Sequence, residues 1–323
     1  MSALPRYRDL PVSPGAPPKS AWGMFGEHDD LGAVQLQTPE RIQKAAGLIQ
    51  SGRVFSLNWE LTKPNPPLLR RGALVHTLHR DVAIGHHSDD HLDNFYPQAS
   101  TQWDGLTHVG DYEHGFWGGV TVQTLRESGD KTRLGIDHWA RRGIVGRAVV
   151  LDVARERERQ GRPLELATDD KISVDDLERT RLAAGIDFQP GDVWLLRTGW
   201  LGWYEQQAQS VRDELAQAKL RVCVPGLECS EAMAEYIFDS HPACLAADNL
   251  TLESWPPPSY VEPDGFLHHF LIGRFGLAVG ELFVLDALAA ACAEGNRHEC
   301  FFTSAPLNLP GGAGSPANAL AIL

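Results

Sequence analysis

The 323-residue sequence contains no C-x-x-C pair. Its five cysteines, Cys223, Cys229, Cys244, Cys292 and Cys300, are odd in number and stand among apolar neighbours. These two absences argue against a disulfide framework and a thiolate zinc site, and predict buried reduced thiols. Basic charge is also scarce. Against 42 Asp and Glu there are 29 Lys and Arg, a net charge of -13, so no surface that tracks phosphates along nucleic acid is expected. No run of 18 apolar residues occurs, and the opening Met1-Ser-Ala-Leu-Pro-Arg6 has no basic region leading into an apolar one. This pattern predicts a soluble cytoplasmic protein with no membrane partner. There is no G-x-S-x-G elbow, no G-x-x-x-x-G-K-[ST] loop and no G-x-G-x-x-G opening a helix. Serine-hydrolase, nucleoside-triphosphate and dinucleotide chemistry therefore lack their central parts.

Repeats and low-complexity linkers are missing as well. A chain of this length with 43% hydrophobic residues can bury one large core. The expectation is a single mixed α/β domain over 21–323, preceded by an extended arm over 1–20 that carries Pro5, Pro11, Pro14, Pro17 and Pro18. Thr38 followed by Pro39 predicts a helix from Pro39 to Ser51, closed by Gly52. Arg53 to Leu61 and, more weakly, Gly72 to His79 alternate as strands do. The polar stretch from His79 to Gln98, with His86-His87-Ser88-Asp89-Asp90-His91, predicts a long loop of the kind that walls active sites. Gly146–Val153 and Asp192–Arg197 are near-continuous apolar runs, which predicts central strands buried on two faces. Between them Ser173, with Asp176 three residues on, caps a helix to Ala184. A further helix is expected over Ser230–Ser240, then an apolar strand Ala243–Ala247 ending at Asp248. Glu281–Ala293 reads as helix, with Leu282–Leu285 equally compatible with strand. The glycines of Gly311–Ser315 suit a loop that approaches another backbone or a substrate.

The chemistry concentrates between Ser100 and Gly119, where Asp104, His108, Asp111, Glu113 and His114 stand among glycines and aromatics. A hydrophobic core does not select that mixture. Divalent cations accept carboxylate oxygen and imidazole nitrogen, and small residues let the chain fold tightly around an ion. Asp104 and His108 form the best pair; the alternative is a turn cap and a satisfied core histidine. A second cluster places His268 and His269 in the apolar stretch Phe266–Ile272, with Glu281 beyond, and buried imidazoles there require partners. Asp248 and Glu253 read as solvated or capping residues.

These residues resemble the cyclase-like metal-dependent hydrolases that include bacterial kynurenine formamidase and isatin hydrolase. The resemblance runs over nearly the whole chain, through Trp22-Gly23, Asp30-Leu-Gly-Ala33, Thr38-Pro-Glu40, Gly143–Arg147, Asp152-Val-Ala154, Pro190–Val193, Arg197–Trp200, Pro225–Leu227 and Gly311–Pro316. The family signature is H-x-G-T-H-x-D-x-P-x-H, and His108 and His114 match its second and third histidines. Asp104 stands at the first histidine and Gly110 at the aspartate, so the sequence is similar to a branch that reads Q-W-D-G-L-x-H. Asp111, Gln102 or a residue of the second cluster is left to fill the place of the missing aspartate. The L-H-x-x-L-I pattern favours His268 over His269, and Glu281 matches a family glutamate.

The resemblance implies a mixed, partly barrel-like sheet covered by helices, of the swivelling β/β/α cyclase-like type, assembled as a homodimer or homotetramer. It further implies a divalent metal, Mn or Zn, held by Asp104, His108 and His268, with His114 and Glu281 catalytic. A small ring-bearing substrate would lie against Trp103, Phe116, Trp117 and Gln102. The expected reaction is hydrolysis of an amide, cyclic amide or lactone by metal-activated water with a histidine base. A metal-dependent lyase or cyclase acting through an enolate, and a catalytically silent binding protein lacking two signature ligands, are the alternatives.

Overall fold

The computed structural model of the protein describes residues 4–81, 85–127, 133–262 and 264–323. Residues 1–3 of the expected arm and 82–84 of the expected loop lie outside them. The core element is a curled, nine-stranded half-barrel sheet with helices packed on it. Thirteen strands occur among the described residues: β1 (Val54–Ser56), β2 (Val75–Asp81), β3 (His87–Asp93), β4 (Gln102–Asp104), β5 (Ile144–Asp152), β6 (Lys171–Ile172), β7 (Val193–Arg197), β8 (Gly226–Leu227), β9 (Cys244–Ala247), β10 (Ala278–Glu281), β11 (Glu299–Ser304), β12 (Gly314–Pro316) and β13 (Ala319–Ile322). The large sheet runs β1-β13-β11-β5-β7-β9-β10-β4-β12. Its middle, β5-β7-β9-β10, is parallel, and the remaining pairings are antiparallel.

The two apolar runs read as central strands are β5 and β7. Both are buried on two faces, which explains why they show no alternation. Helices α1 (Pro39–Ala46), α4 (Val153–Arg159), α5 (Val174–Ala183) and α9 (Asp286–Gly295) pack against β5 or β7. The Ser173/Asp176 capping box closes the start of α5 in both directions. Helix α1 stops five residues short of the expected Ser51. Ser51 N and Gly52 N donate instead to the Leu323 carbonyl at 3.0 and 2.8 Å, so the C-terminus draws this segment out of the helix.

The largest departure is the polar stretch after His79. The strand expected over Gly72–His79 is β2, shifted to Val75–Asp81, and the chain returns as β3, paired antiparallel from Val75↔Asp93 to Asp81↔His87, where a loop was expected. Every residue of β3 is exposed, and its alternation is of His with Asp. An apolar period of two, the usual strand signal, is therefore absent. The arm lies against α8 (Glu231–Ser240). Tyr7 packs edge-on to Phe238 and Phe275, and Lys19 pairs with Asp264 and Glu231 at 3.1 Å. The cysteines are free, with Cys244, Cys292 and Cys300 buried and Cys223 and Cys229 half-buried. Among the described residues no helix is long and apolar enough to cross a membrane.

Candidate metal centre

Strand β4 is inserted between β10 and β12, with Gln102 opposite Glu281 and Asp104 opposite Val279. Period-two alternation puts Gln102 and Asp104 on one face of β4 and Trp103 on the other. Gln102 Nε2 donates to Glu281 Oε2 at 2.5 Å, as cross-strand partners on one face should. Trp103, expected to wall a pocket, is core. Its ring lies 5.0 Å from Phe283 and 6.3 Å from Phe302, and its indole donates to Ser304 at 2.8 Å. Gly280 makes room for it, since a Cβ there would stand 2.8 Å from the indole. The tail glycines do approach another backbone: Ile136 N donates to the Gly312 carbonyl at 2.8 Å, and a Cβ on Gly314 would stand 2.8 Å from the Trp103 carbonyl oxygen.

Asp104, His268 and Glu281, all buried, offer ligand atoms that lie within 4.8 Å of one another. His268 Nε2 is 3.8 Å from Asp104 Oδ2 and 3.5 Å from Glu281 Oε1. Its other nitrogen, Nδ1, lies 2.5 Å from Glu253 Oε1, so the ring donates there and turns its Nε2 to the two carboxylates. Glu253 also accepts from Leu267 N at 2.9 Å and His268 N at 3.1 Å, and so caps the turn that carries the imidazole. It is fully buried, where a solvated or capping residue was expected, and it combines capping with ligand orientation. Asp248 is buried too and caps the entry to α6 (Trp200–Gln206), accepting from Thr198 N, Thr198 Oγ1 and Gly199 N.

His108 stands at the rim of this cluster, with Nε2 3.7 Å from Asp104 Oδ1. Gln98 spends its amide hydrogens on Asp104 Oδ1 and on His108 Nδ1, the latter at 3.0 Å. An Nδ1 that accepts leaves the proton on Nε2, so His108 presents an N–H toward Asp104. His114 has a different partner. Its Nδ1 lies 2.6 Å from Asp111 Oδ1, and Asp111 is pinned by Arg274 Nε at 2.7 Å from the π-helical turn His269–Arg274. The contacts of His114 thus tie it to Asp111 and not to the Asp104 cluster. Gly110 carries no side chain because none fits; a Cβ there would lie 2.7 Å from the Gly115 carbonyl oxygen. Trp117 is buried with its indole on Asp29 Oδ2 at 2.8 Å, while Phe116 is half-buried.

Charge balance in the cluster calls for a cation. Burial raises the Asp104 pKa, but the charge of His108 and the facing imidazole of His268 outweigh burial and hold it down at about 2. Burial, then the negative charge of Asp104, pushes Glu281 up to about 7. Burial pulls His268 down, yet the facing carboxylates of Asp104, Glu253 and Glu281 take it well above the ordinary imidazole range. A proton thus bridges groups that a divalent cation would hold equally. Asp104 Oδ2 and Gln102 Oε1 are buried oxygens without a hydrogen-bond partner, so acceptor capacity is left over beside the cluster. Two carboxylates and one tautomer-fixed imidazole form a donor set that a divalent cation fits.

Sequence reasoning named His268 and Glu281 and took Glu253 for a solvated or capping residue; it had no signal for Gln98, whose partners Asp104 and His108 are set by the loop. The sequence profile of the Cyclase family matches residues 55–254. A solved structure described as a novel cyclase is similar over 94% of this chain and 99% of its own, at 31% identity and a TM-score of 0.81. Isatin hydrolase A from Labrenzia aggregata, bound to benzyl benzoate, shares the fold over 86% of this chain and 94% of its own, at 16% identity and a TM-score of 0.58. Isatin hydrolase A from Ralstonia solanacearum does so over 86% and 93%, at 20% identity and a TM-score of 0.54. No curated protein matches the chain. By its profile match and its 31% likeness to a cyclase over nearly the full length of both chains, this protein belongs to the Cyclase family.

Proposed function

We propose that this protein is a metal-dependent hydrolase that opens an amide, cyclic amide or lactone bond in a small ring-bearing substrate. The observation that carries the reading is the buried convergence of Asp104, His268 and Glu281 within 4.8 Å, with Glu253 fixing the His268 tautomer. Asp104, His268 and Glu281 would hold the cation, Mn or Zn. The chemistry such a cation supplies is Lewis acidity, which acidifies water and polarises a carbonyl.

The chain's own residues do the rest. Gln102 holds one Glu281 oxygen, leaving Oε1 toward the centre as a ligand. His108, an N–H donor at the rim whose burial favours the neutral form, is placed to donate a hydrogen bond to a carbonyl oxygen as negative charge develops on it. His114, oriented by Asp111, is the proposed proton carrier, at the edge of the loop 105–116. Phe116 remains the aromatic candidate for contact with a ring.

Anomalous scattering at the zinc and manganese edges, with metal analysis after chelator-free purification, tests the centre. Turnover is then read on aromatic lactones, cyclic amides and formyl anilides. Isatin belongs in the set, because isatin hydrolases share the fold. Incorporation of oxygen-18 from labelled water into product separates hydrolysis from a lyase or cyclase reaction. H108A and H114A should each lower kcat about 10²-fold or more. Full turnover in both folded variants removes histidine proton transfer from the mechanism. A homodimer or homotetramer is part of the same proposal, to be weighed by light scattering against the 35.5 kDa chain mass.

A further inference from the structure

Arg71 follows two consecutive non-glycine residues in the left-handed region, Leu69 at φ 51° and Arg70 at φ 65°. Side chains with a Cβ adopt that conformation at a cost, so the fold invests in the turn that sets Arg71 in place. Leu68 is buried, and Leu69 packs beside it, in an apolar cluster that includes Leu282 and Phe266. Leu282 follows Glu281 in the chain, and Phe266 stacks on His268 with ring centroids 4.7 Å apart. The loop ending at Arg71 therefore shares an apolar cluster with residues that flank the metal centre. The positive charge of Arg71 is felt at Asp104, His108 and Glu281 alike.

Arg70 is exposed, but Arg71 is half-buried, and its Nη1 is fully buried with no hydrogen-bond partner. Thr107, next to His108, likewise has a buried hydroxyl without a partner. A guanidinium carries five donors and no acceptor, so its vacant position calls for an oxygen that accepts. The orphaned groups near the centre divide by sign: Asp104 Oδ2 and Gln102 Oε1 are acceptors that suit a cation, and Arg71 Nη1 is a donor that suits an anion. Asp104 and Glu281 together match the charge of a divalent cation, while the Glu253 oxygens accept from two backbone N–H groups and the imidazole. That leaves the Arg71 Nη1 donor for a ligand.

We propose that Arg71 is a specificity-determining residue that binds a carboxylate of the substrate or product beside the metal centre. This assignment rests on the hydrolase reading above and narrows its substrate class to rings that already carry a carboxylate. Guanidinium is the side chain best matched to carboxylate geometry, through charge-assisted bonds about twice as strong as neutral ones.

Benzoate and benzamide, alike in shape and different in charge, are the probes, with binding read by calorimetry on the manganese-loaded full chain. Wild type should prefer benzoate at least tenfold. R71M should bring the ratio to about one while manganese affinity, titrated separately, stays within threefold. Should R71M melt early, R71K carries the test: a two- to tenfold loss of benzoate affinity with benzamide unchanged supports the assignment. A wild type without preference, or an R71M that keeps it, overturns the proposal. If wild type binds no metal, the hydrolase reading fails by itself, and the benzoate-to-benzamide ratio in metal-free wild type and R71M still decides the role of Arg71.

Discussion

The two ring nitrogens of His268 face different tasks, and Glu253 is what separates them. With Nδ1–H held 2.5 Å from a buried carboxylate, the Nε2 lone pair is fixed in direction and made more basic. E253Q keeps the shape but replaces one acceptor oxygen with an amide that competes as a donor. Manganese or zinc affinity should fall about 10–100-fold, as titration calorimetry would show, while secondary structure stays intact. Unchanged affinity would reduce Glu253 to a turn cap. This residue marks the limit of sequence reading. The spacing of His268 and Glu281 could be compared with a family pattern, but Glu253 lies 15 residues before its imidazole and gains its meaning only when the chain returns. Trp103 shows the converse. Its neighbours Gln102 and Asp104 attract chemistry, yet alternation along β4 turns the ring into the core, where W103A should cost about 3–5 kcal/mol in denaturant unfolding.

At the scale of elements, the loop 105–116 is shaped by close backbone contact rather than by ligands. A Cβ on Gly110 would meet the Gly115 carbonyl, and one on Gly273 would stand 2.4 Å from Asp111 N. Restoring the family aspartate with G110D should therefore not add a ligand. We expect a loss of about 1–3 kcal/mol or more from overpacking and no gain in metal affinity. Tighter metal binding by a stable G110D would overturn this account of the loop. Helix α5 offers a pH test away from the site. Burial raises the Asp176 pKa, but backbone and side-chain bonds from Ser173 and Arg162 and the charge of Arg157 bring it below the ordinary aspartate value. A depressed folded pKa means that the unfolded chain binds the proton more tightly. The contribution is present above the unfolded pKa, near 3.8, and is lost as pH falls through the lower folded value. D176N should lower stability at neutral pH, and the difference from wild type should narrow as acid is added. Helices and buried strands of this kind were legible because caps and apolar runs are local. Strand β3 was not, because it carries mostly His, Ser and Asp where an apolar period of two would signal a strand, and every one of its residues is exposed.

For the whole molecule, the half-barrel brings β4, β10 and the π-helical turn together around charges that the empty chain cannot balance well. Ion binding should therefore feed back on global stability. A cation that binds only the folded state stabilises it by about 2.7 kcal/mol at one hundred times its Kd. In a chain of this size that corresponds to a rise in Tm of several degrees. Manganese or zinc should produce this rise in wild type, a chelator should reverse it, and D104N should lose most of it. D104N also removes a buried charge that repels Glu281, so the metal-free variant should melt no lower than metal-free wild type if repulsion governs the empty centre. A metal-free D104N that melts well below wild type would mean that the Asp104 bond to Gln98 and its attraction to His268 hold the metal-free centre together, and the ion would then add to a site already stable without it.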